Sequence, residues 1–153
     1  MKHLKRLSPS ALFLMTFFMG IFFTWLYPWH ITLYFDEGYV RLTGVAILLI
    51  SLTLNMLADR QFKKSLTPHA PFATPNTLIQ KGIFALSRNP VYLALVLSQF
   101  ALGFVFDTVW LLLGSVLLLI LLHYLIVLDE EKMLESTFKE RYRDYKKRTR
   151  RWL

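Results

Sequence analysis

Cysteine is absent from the 153 residues. Disulfides, a thiolate nucleophile and cysteine-ligated metals are therefore excluded. Histidine is scarce: His3, His30, His69 and His123 are scattered, without the tight spacing that holds a structural metal, and no metal is expected. Acidic residues are also few, ten against eighteen lysines and arginines, for a formal charge of +8. Such a balance can point to nucleic acid. Here the cations flank apolar runs, where they set topology and attract anionic lipid, so nucleic acid is rejected as a partner.

What is present is apolar and aromatic. Hydrophobic residues make up 55% of the chain and aromatic ones 16%. They fall into blocks, which predicts one all-α, multi-pass membrane domain over residues 1–153. Four transmembrane spans are expected, at about residues 10–27, 39–58, 90–106 and 109–128. The first ends in Thr24-Trp25-Leu26-Tyr27-Pro28, which offers no small-residue cleavage site, so it is read as retained rather than as a signal peptide. Trp25, Tyr27, Trp29 and Tyr34 then form an aromatic belt at the far interface. Asn55 is a polar group in the second span, expected to bond to another helix.

Between the second and third spans, Pro68, Pro71 and Pro75 argue against a regular helix. Residues 66–78 are expected to be a cytoplasmic loop over the membrane surface. Residues 78–87 are too interrupted by Lys81-Gly82 to span. Arg88-Asn89-Pro90-Val91-Tyr92 then opens the third span, with Asn89 as N-cap and Pro90 at the first helical position. Asp107 sits in a very short link, so the third and fourth spans make an antiparallel hairpin. Seventeen of the eighteen lysines and arginines fall on one side of this topology, Arg41 being the exception, which places both termini in the cytoplasm.

The last span closes on Asp129-Glu130-Glu131, where a plain stop signal is basic. Helical spacing puts His123 near the face of Glu130 and Tyr124 near that of Glu131. From Lys132 onward Leu134, Phe138, Tyr142 and Tyr145 recur at helical spacing among cations, which predicts a basic amphipathic helix on the membrane surface. Arg148 to Leu153 are basic and carry Trp152, suited to the interface. The hairpin brings Arg88–Tyr92 and Glu130-Glu131 to one cytoplasmic end, so residues 66–92 and 124–153 are expected to build one site. It offers helix N–H groups and Arg88 to a carboxylate, the aromatic rings of Tyr92 and Tyr124, and two carboxylates to a cation or to ribose hydroxyls. S-adenosylmethionine, with an amino-acid end and a cationic centre, matches that set.

The order Gly82-Ile83-Phe84, Arg88-Asn89-Pro90-Val91-Tyr92, Glu130-Glu131-Lys132-Met133-Leu134, then Phe138, Tyr142, Tyr145 and Arg148 resembles the isoprenylcysteine carboxyl methyltransferase family. It is similar in equal measure to the membrane phospholipid methyltransferases. The resemblance covers roughly residues 66–153. It implies a membrane methyltransferase that uses S-adenosylmethionine at the cytoplasmic face. It carries over a cofactor pocket of Arg88, Asn89, Pro90, Tyr92, Glu130 and Glu131, to which the helix phase adds His123 and Tyr124. Departures are Asn89 in place of His, Ala94 in place of Gly, Lys139 in place of a frequent Gly, and a tail without its usual Pro.

Glu131, Arg88 and Glu130 are the expected catalytic residues, in positioning roles. A sulfonium donor is already activated, so the protein must hold donor and acceptor in line and exclude water. A carboxylate or thiolate acceptor needs no strong base; an amine must lose a proton, to Glu131, Glu130 or His123. The acceptor is expected to be lipid-like or a small hydrophobic molecule, its class open among carboxylate, amine and thiol. Two other readings compete: a non-catalytic membrane scaffold or lipid-binding subunit, and a sterol-reductase-like oxidoreductase.

Overall fold

The computed structural model describes residues 8–65 and 77–153. The expected loop over 66–78 lies almost wholly outside the described residues. The chain is all-helical, with no strand among the described residues. It comprises α1 (Pro9–Leu26), a 3-10 turn (Ile31–Leu33), α2 (Glu37–Lys64), a second 3-10 turn (Gly82–Ala85), α3 (Pro90–Val105), α4 (Val109–Leu122), a π-helical segment (His123–Val127), α5 (Leu128–Phe138) and α6 (Glu140–Arg148).

The helix starts follow from local chemistry. The Ser8 hydroxyl accepts from the Ala11 N–H, and Pro9 takes a position that needs no donor. The Asp36 carboxylate accepts from the N–H groups of Gly38 and Tyr39. α2 does not stop at residue 58, as expected, but runs through the charged boundary to Lys64. Lys63 and Lys64 then meet the carbonyl end of the helix dipole.

Three helical rods are long and apolar enough to cross a membrane: Pro9–Leu26, Glu37–Lys64 and Val109–Phe138. This makes the protein an integral membrane protein. α3 is apolar but has only 16 residues, about 24 Å at 1.5 Å per residue. The helix that carries the last expected span runs on past residue 128. α4, the π segment and α5 form one continuous rod of 30 residues, because Asp129, Glu130 and Glu131 are accommodated in helix rather than ending it.

α3 lies between α2 and α4, and α1 packs on α4. The helices approach closely where side chains are small. A Cβ on Gly114 of α4 would sit 2.7 Å from Gln99 Nε2 on α3 and 3.2 Å from the Thr16 carbonyl on α1. Polar pins cross the same contacts: the Thr16 hydroxyl donates to Gln99 Oε1 at 2.8 Å, and the Ser51 hydroxyl donates to the Ala94 carbonyl at 2.8 Å. The role expected of Asn55 belongs to Ser51, one turn earlier on the buried side of α2, while Asn55 itself is exposed. Leu12, Leu118, Leu122 and Ile126 form a buried core that Tyr92 and Val96 pack against.

At the far end of the bundle Asp107, at φ 51, ties the α3–α4 link to the segment after α1. Its carboxylate accepts from the Thr32 N–H at 2.9 Å and from the Thr32 hydroxyl at 2.6 Å. The outward faces of α1 and α2 leave Phe18, Phe22, Leu42, Leu49 and Met56 exposed. Trp25, Tyr27, Trp29 and Tyr34 are exposed as well. Apolar surface of this extent on long helices is what a lipid solvent covers.

Candidate cofactor site at the basic end of the bundle

Arg88 precedes α3 and Glu131 lies on α5, three residues past the apolar run that closes at Leu128. The Arg88 Nη2 donates to Glu131 Oε1 at 2.8 Å, with both side chains buried. Within the first turn of α3, the Tyr92 hydroxyl donates to Glu130 Oε1 at 2.7 Å. Two rungs thus join the start of α3 to the start of α5. Pro90 is buried beneath them.

Asn89 stands at the N-cap, but its side chain does not cap the helix. Its Nδ2 donates instead to the Arg151 carbonyl at 3.1 Å, and its N–H donates to the Ser87 hydroxyl. The backbone of α3's first turn therefore has no side-chain acceptor, which fits the expectation of helix N–H groups facing the site.

The tail was expected to lie on the membrane surface as one amphipathic helix. It is two short helices, broken at Lys139 with φ 47, and its aromatic face turns inward. Tyr142 and Tyr145 are buried, and the Tyr145 hydroxyl donates to the Phe84 carbonyl at 2.5 Å. The Arg88 N–H donates to the Arg150 carbonyl at 3.0 Å. An aromatic stripe on a basic helix fits a membrane or a protein groove equally well. Here the stripe is buried against the protein, with Tyr145 bonded to Phe84 and the Ser87 hydroxyl donating to the Arg151 carbonyl.

Arg151 completes the cluster, and the sequence reading missed it. Its Nε donates to Glu131 Oε1 at 2.9 Å and its Nη2 to Glu131 Oε2 at 2.8 Å. The only sequence signal was an unpaired carboxylate at the end of a span and a basic tail within reach. Burial pushes the Glu131 carboxyl upward. The Arg151 hydrogen bonds and the charges of Arg88, Arg151 and Lys146 outweigh it and hold the group below the usual carboxylate range. Hydrogen bonding to Glu131 raises Arg151 in turn. Burial raises the Tyr142 and Tyr145 phenols, so both stay protonated, and the Tyr145 hydroxyl donates.

His123 and Tyr124 part company. The His123 ring is half-buried and lies 6.3 Å from the Trp152 ring, which the tail brings over it. Tyr124 is 66% exposed, and it does not share the face of buried Glu131. The cause is the π segment between them, where the Leu128 N–H donates to the His123 carbonyl five residues back. One extra residue in that turn offsets the helix phase by about 100°, so a seven-residue spacing no longer returns to the same face.

The assembled groups are two guanidiniums, one carboxylate fully engaged by them, a second carboxylate met by a tyrosine, and the rings of Tyr92, His123 and Trp152. No group of metal-ligating side chains occurs among the described residues. No curated protein and no solved structure matches the chain. A family model described as phospholipid methyltransferase matches residues 39–141, from the first turn of α2 into α6. That stretch contains Arg88–Tyr92 and Glu130-Glu131 and covers more than half of the chain. The chain belongs to the phospholipid methyltransferase family.

Proposed function

We propose that the protein transfers a methyl group from S-adenosylmethionine to a lipid-like acceptor, amine, carboxylate or thiol, at the cytoplasmic face of a membrane. In this reading α3 serves as a fourth crossing and both termini are cytoplasmic, the orientation that the bias of lysine and arginine supports. The observation that carries it is the pair of rungs from Arg88 to Glu131 and from Tyr92 to Glu130. They unite at one end of the bundle the two sequence motifs of a methyltransferase family.

The residues present fit the cofactor. The buried Nε of Arg88 has no hydrogen-bond partner, so the cluster retains an unused donor for a carboxylate. Glu130 supplies negative charge on the neighbouring side of α5, and Tyr92 fixes one of its oxygens. When bound, S-adenosylmethionine supplies a sulfonium methyl to the acceptor's lone pair and leaves as a neutral thioether. The chain's residues hold the two partners and exclude water; Trp152 and His123 form an aromatic wall for that purpose.

Glu131, paired twice and held ionised, is a weak base and serves positioning. Glu130 and His123 remain the groups able to accept a proton from an amine acceptor. The test is calorimetric titration of S-adenosylmethionine, and of its demethylated product, into the detergent-purified protein. The expected result is saturable binding of both, weakened in Glu130→Gln. Absence of binding in demonstrably folded protein would overturn the proposal and favour a non-catalytic scaffold.

A further inference from the structure

Arg88, Glu131 and Arg151 make a cluster of two cations and one anion. The Arg88 and Glu131 side chains are each 8% exposed, and that of Arg151 is 32% exposed. The division of hydrogen bonds is unequal. Arg151 engages both oxygens of Glu131, whereas Arg88 engages one through Nη2. The cluster keeps one net positive charge, and the buried Arg88, which holds Glu131 through a single hydrogen bond, has an Nε with no partner among the described residues. Of the nearby charges, Lys146 is paired to Glu135 at 3.2 Å, and Glu130 keeps its negative charge on the Tyr92 side of the cluster, its hydroxyl partner being neutral. A buried guanidinium with an unused donor and incomplete charge compensation is stabilised by an anion.

We propose that Arg151 is a positioning residue that keeps Arg88 available to an anionic ligand group. By occupying both Glu131 oxygens it prevents Glu131 from closing on Arg88 and neutralising it. The ligand group is the carboxylate of the amino-acid end of the methyl donor. The inference rests on the proposed function and adds to it the charge control of one subsite, by a residue outside the matched stretch 39–141.

A purely structural role for the Arg151 side chain is the competing account, and the tail's other contacts argue against it. The tail is docked by the Tyr145 hydroxyl on the Phe84 carbonyl, by the Arg88 N–H on the Arg150 carbonyl and by Asn89 Nδ2 on the Arg151 carbonyl. None of these uses the Arg151 guanidinium. Removing the guanidinium leaves the tail in place and frees two carboxylate lone-pair sites beside Arg88.

The experiment titrates S-adenosylmethionine and its demethylated product into wild type, Arg151→Gln, Arg151→Lys and the double variant Arg151→Gln/Glu131→Gln. In parallel, hydrogen exchange over residues 148–153 reads tail docking. Arg151→Gln is expected to weaken binding about tenfold or more, the scale of one charged hydrogen bond. The double variant, with its folding checked by thermal unfolding, is expected to recover part of that loss, because Arg88 is again uncompensated although the contact with Glu131 that orders the site is weakened. Arg151→Lys retains a cation on Glu131 and is expected to stay within a few-fold of wild type. Tail protection is expected to be unchanged throughout. Wild-type affinity in Arg151→Gln overturns the inference alone, as does a folded double variant no better than the single one. Loss of tail protection in Arg151→Lys and Arg151→Gln together assigns the side chain to packing and also overturns it. Failure of wild type to bind either compound removes the proposed function and this inference with it.

Discussion

Arg88 and Glu131 are 43 residues apart in the chain, yet the guanidinium Nη2 lies 2.8 Å from the carboxylate Oε1 and both side chains are buried. The contact fixes the start of α3 against α5, and it sets the geometry of everything around it. Tyr92 reaches Glu130 only because the helices are held in this register. The Arg151 guanidinium of the docked tail meets the same carboxylate.

Glu131→Gln is expected to destabilise the fold, not merely to impair binding. It leaves two guanidiniums without their shared counter-charge, and breaking a buried pair from one side costs about 3 kcal/mol or more. A thermal-unfolding series in detergent reads this. Adding Arg151→Gln is expected to recover part of the loss, since one of the two uncompensated cations is then gone and the effects of contacting residues do not add. A double variant whose loss equals the sum of the two single losses would count against a shared network.

Tyr92→Phe tests the second rung with less risk to the fold. The ring stays packed against the core of Leu12, Leu118, Leu122 and Ile126. Only the hydroxyl bond to Glu130 is lost, at a stability cost of about 1 kcal/mol. Affinity for S-adenosylmethionine is expected to fall several-fold, because Glu130 loses the partner that fixes its oxygen. Unchanged calorimetric affinity with unchanged stability would place the ligand elsewhere.

The site's neighbourhood was legible in the sequence because the α3–α4 link is so short that the start of one span must neighbour the end of the next. Its interior was not. No residue type marks the π segment at His123–Val127, so the seven-residue spacing placed Tyr124 beside Glu131 when it faces outward. Arg151 was hidden for a different reason. An ion pair across a tail that folds back has no periodicity, and a basic terminus next to a membrane span already has an ordinary explanation in topology. Ser51 was passed over for Asn55 because the more polar residue draws attention, whereas helix phase decides which of them is buried.

Asp107 governs stability at the opposite end of the bundle, and its pH dependence has a definite sign. Burial acts to raise its pKa, but the Thr32 hydroxyl, the Thr32 and Ile31 N–H groups and the His30 charge outweigh burial and lower it. A carboxylate whose folded-state pKa is depressed contributes stability that is present above its unfolded value, near 4. That contribution is lost as pH falls through the lower folded-state value. The thermal midpoint is expected to decline below about pH 4, and Asp107→Asn is expected to remove that part of the decline. Asn tolerates the left-handed φ of this position, so the substitution isolates the charge. An identical acid profile in wild type and variant would remove Asp107 from the account.

Lys139 offers a stabilising substitution. It separates α5 from α6 at φ 47, ψ −121, a conformation that favours glycine because a Cβ is crowded there. The turn is nonetheless retained, since the aromatic residues that follow must come back to bury Tyr142 and Tyr145 beside the Gly82–Ala85 turn. The strain is therefore maintained by tertiary packing, at a cost of about 1 kcal/mol. Lys139→Gly removes the crowded Cβ and a solvent-exposed cation that makes no ion pair among the described residues. The thermal midpoint is expected to rise, offset in part by the greater freedom of glycine in the unfolded chain. Lys139→Val is expected to lower it, because a β-branched residue is least suited to positive φ. If glycine and valine shift the midpoint alike, backbone strain at this turn is not what limits the docking of the tail.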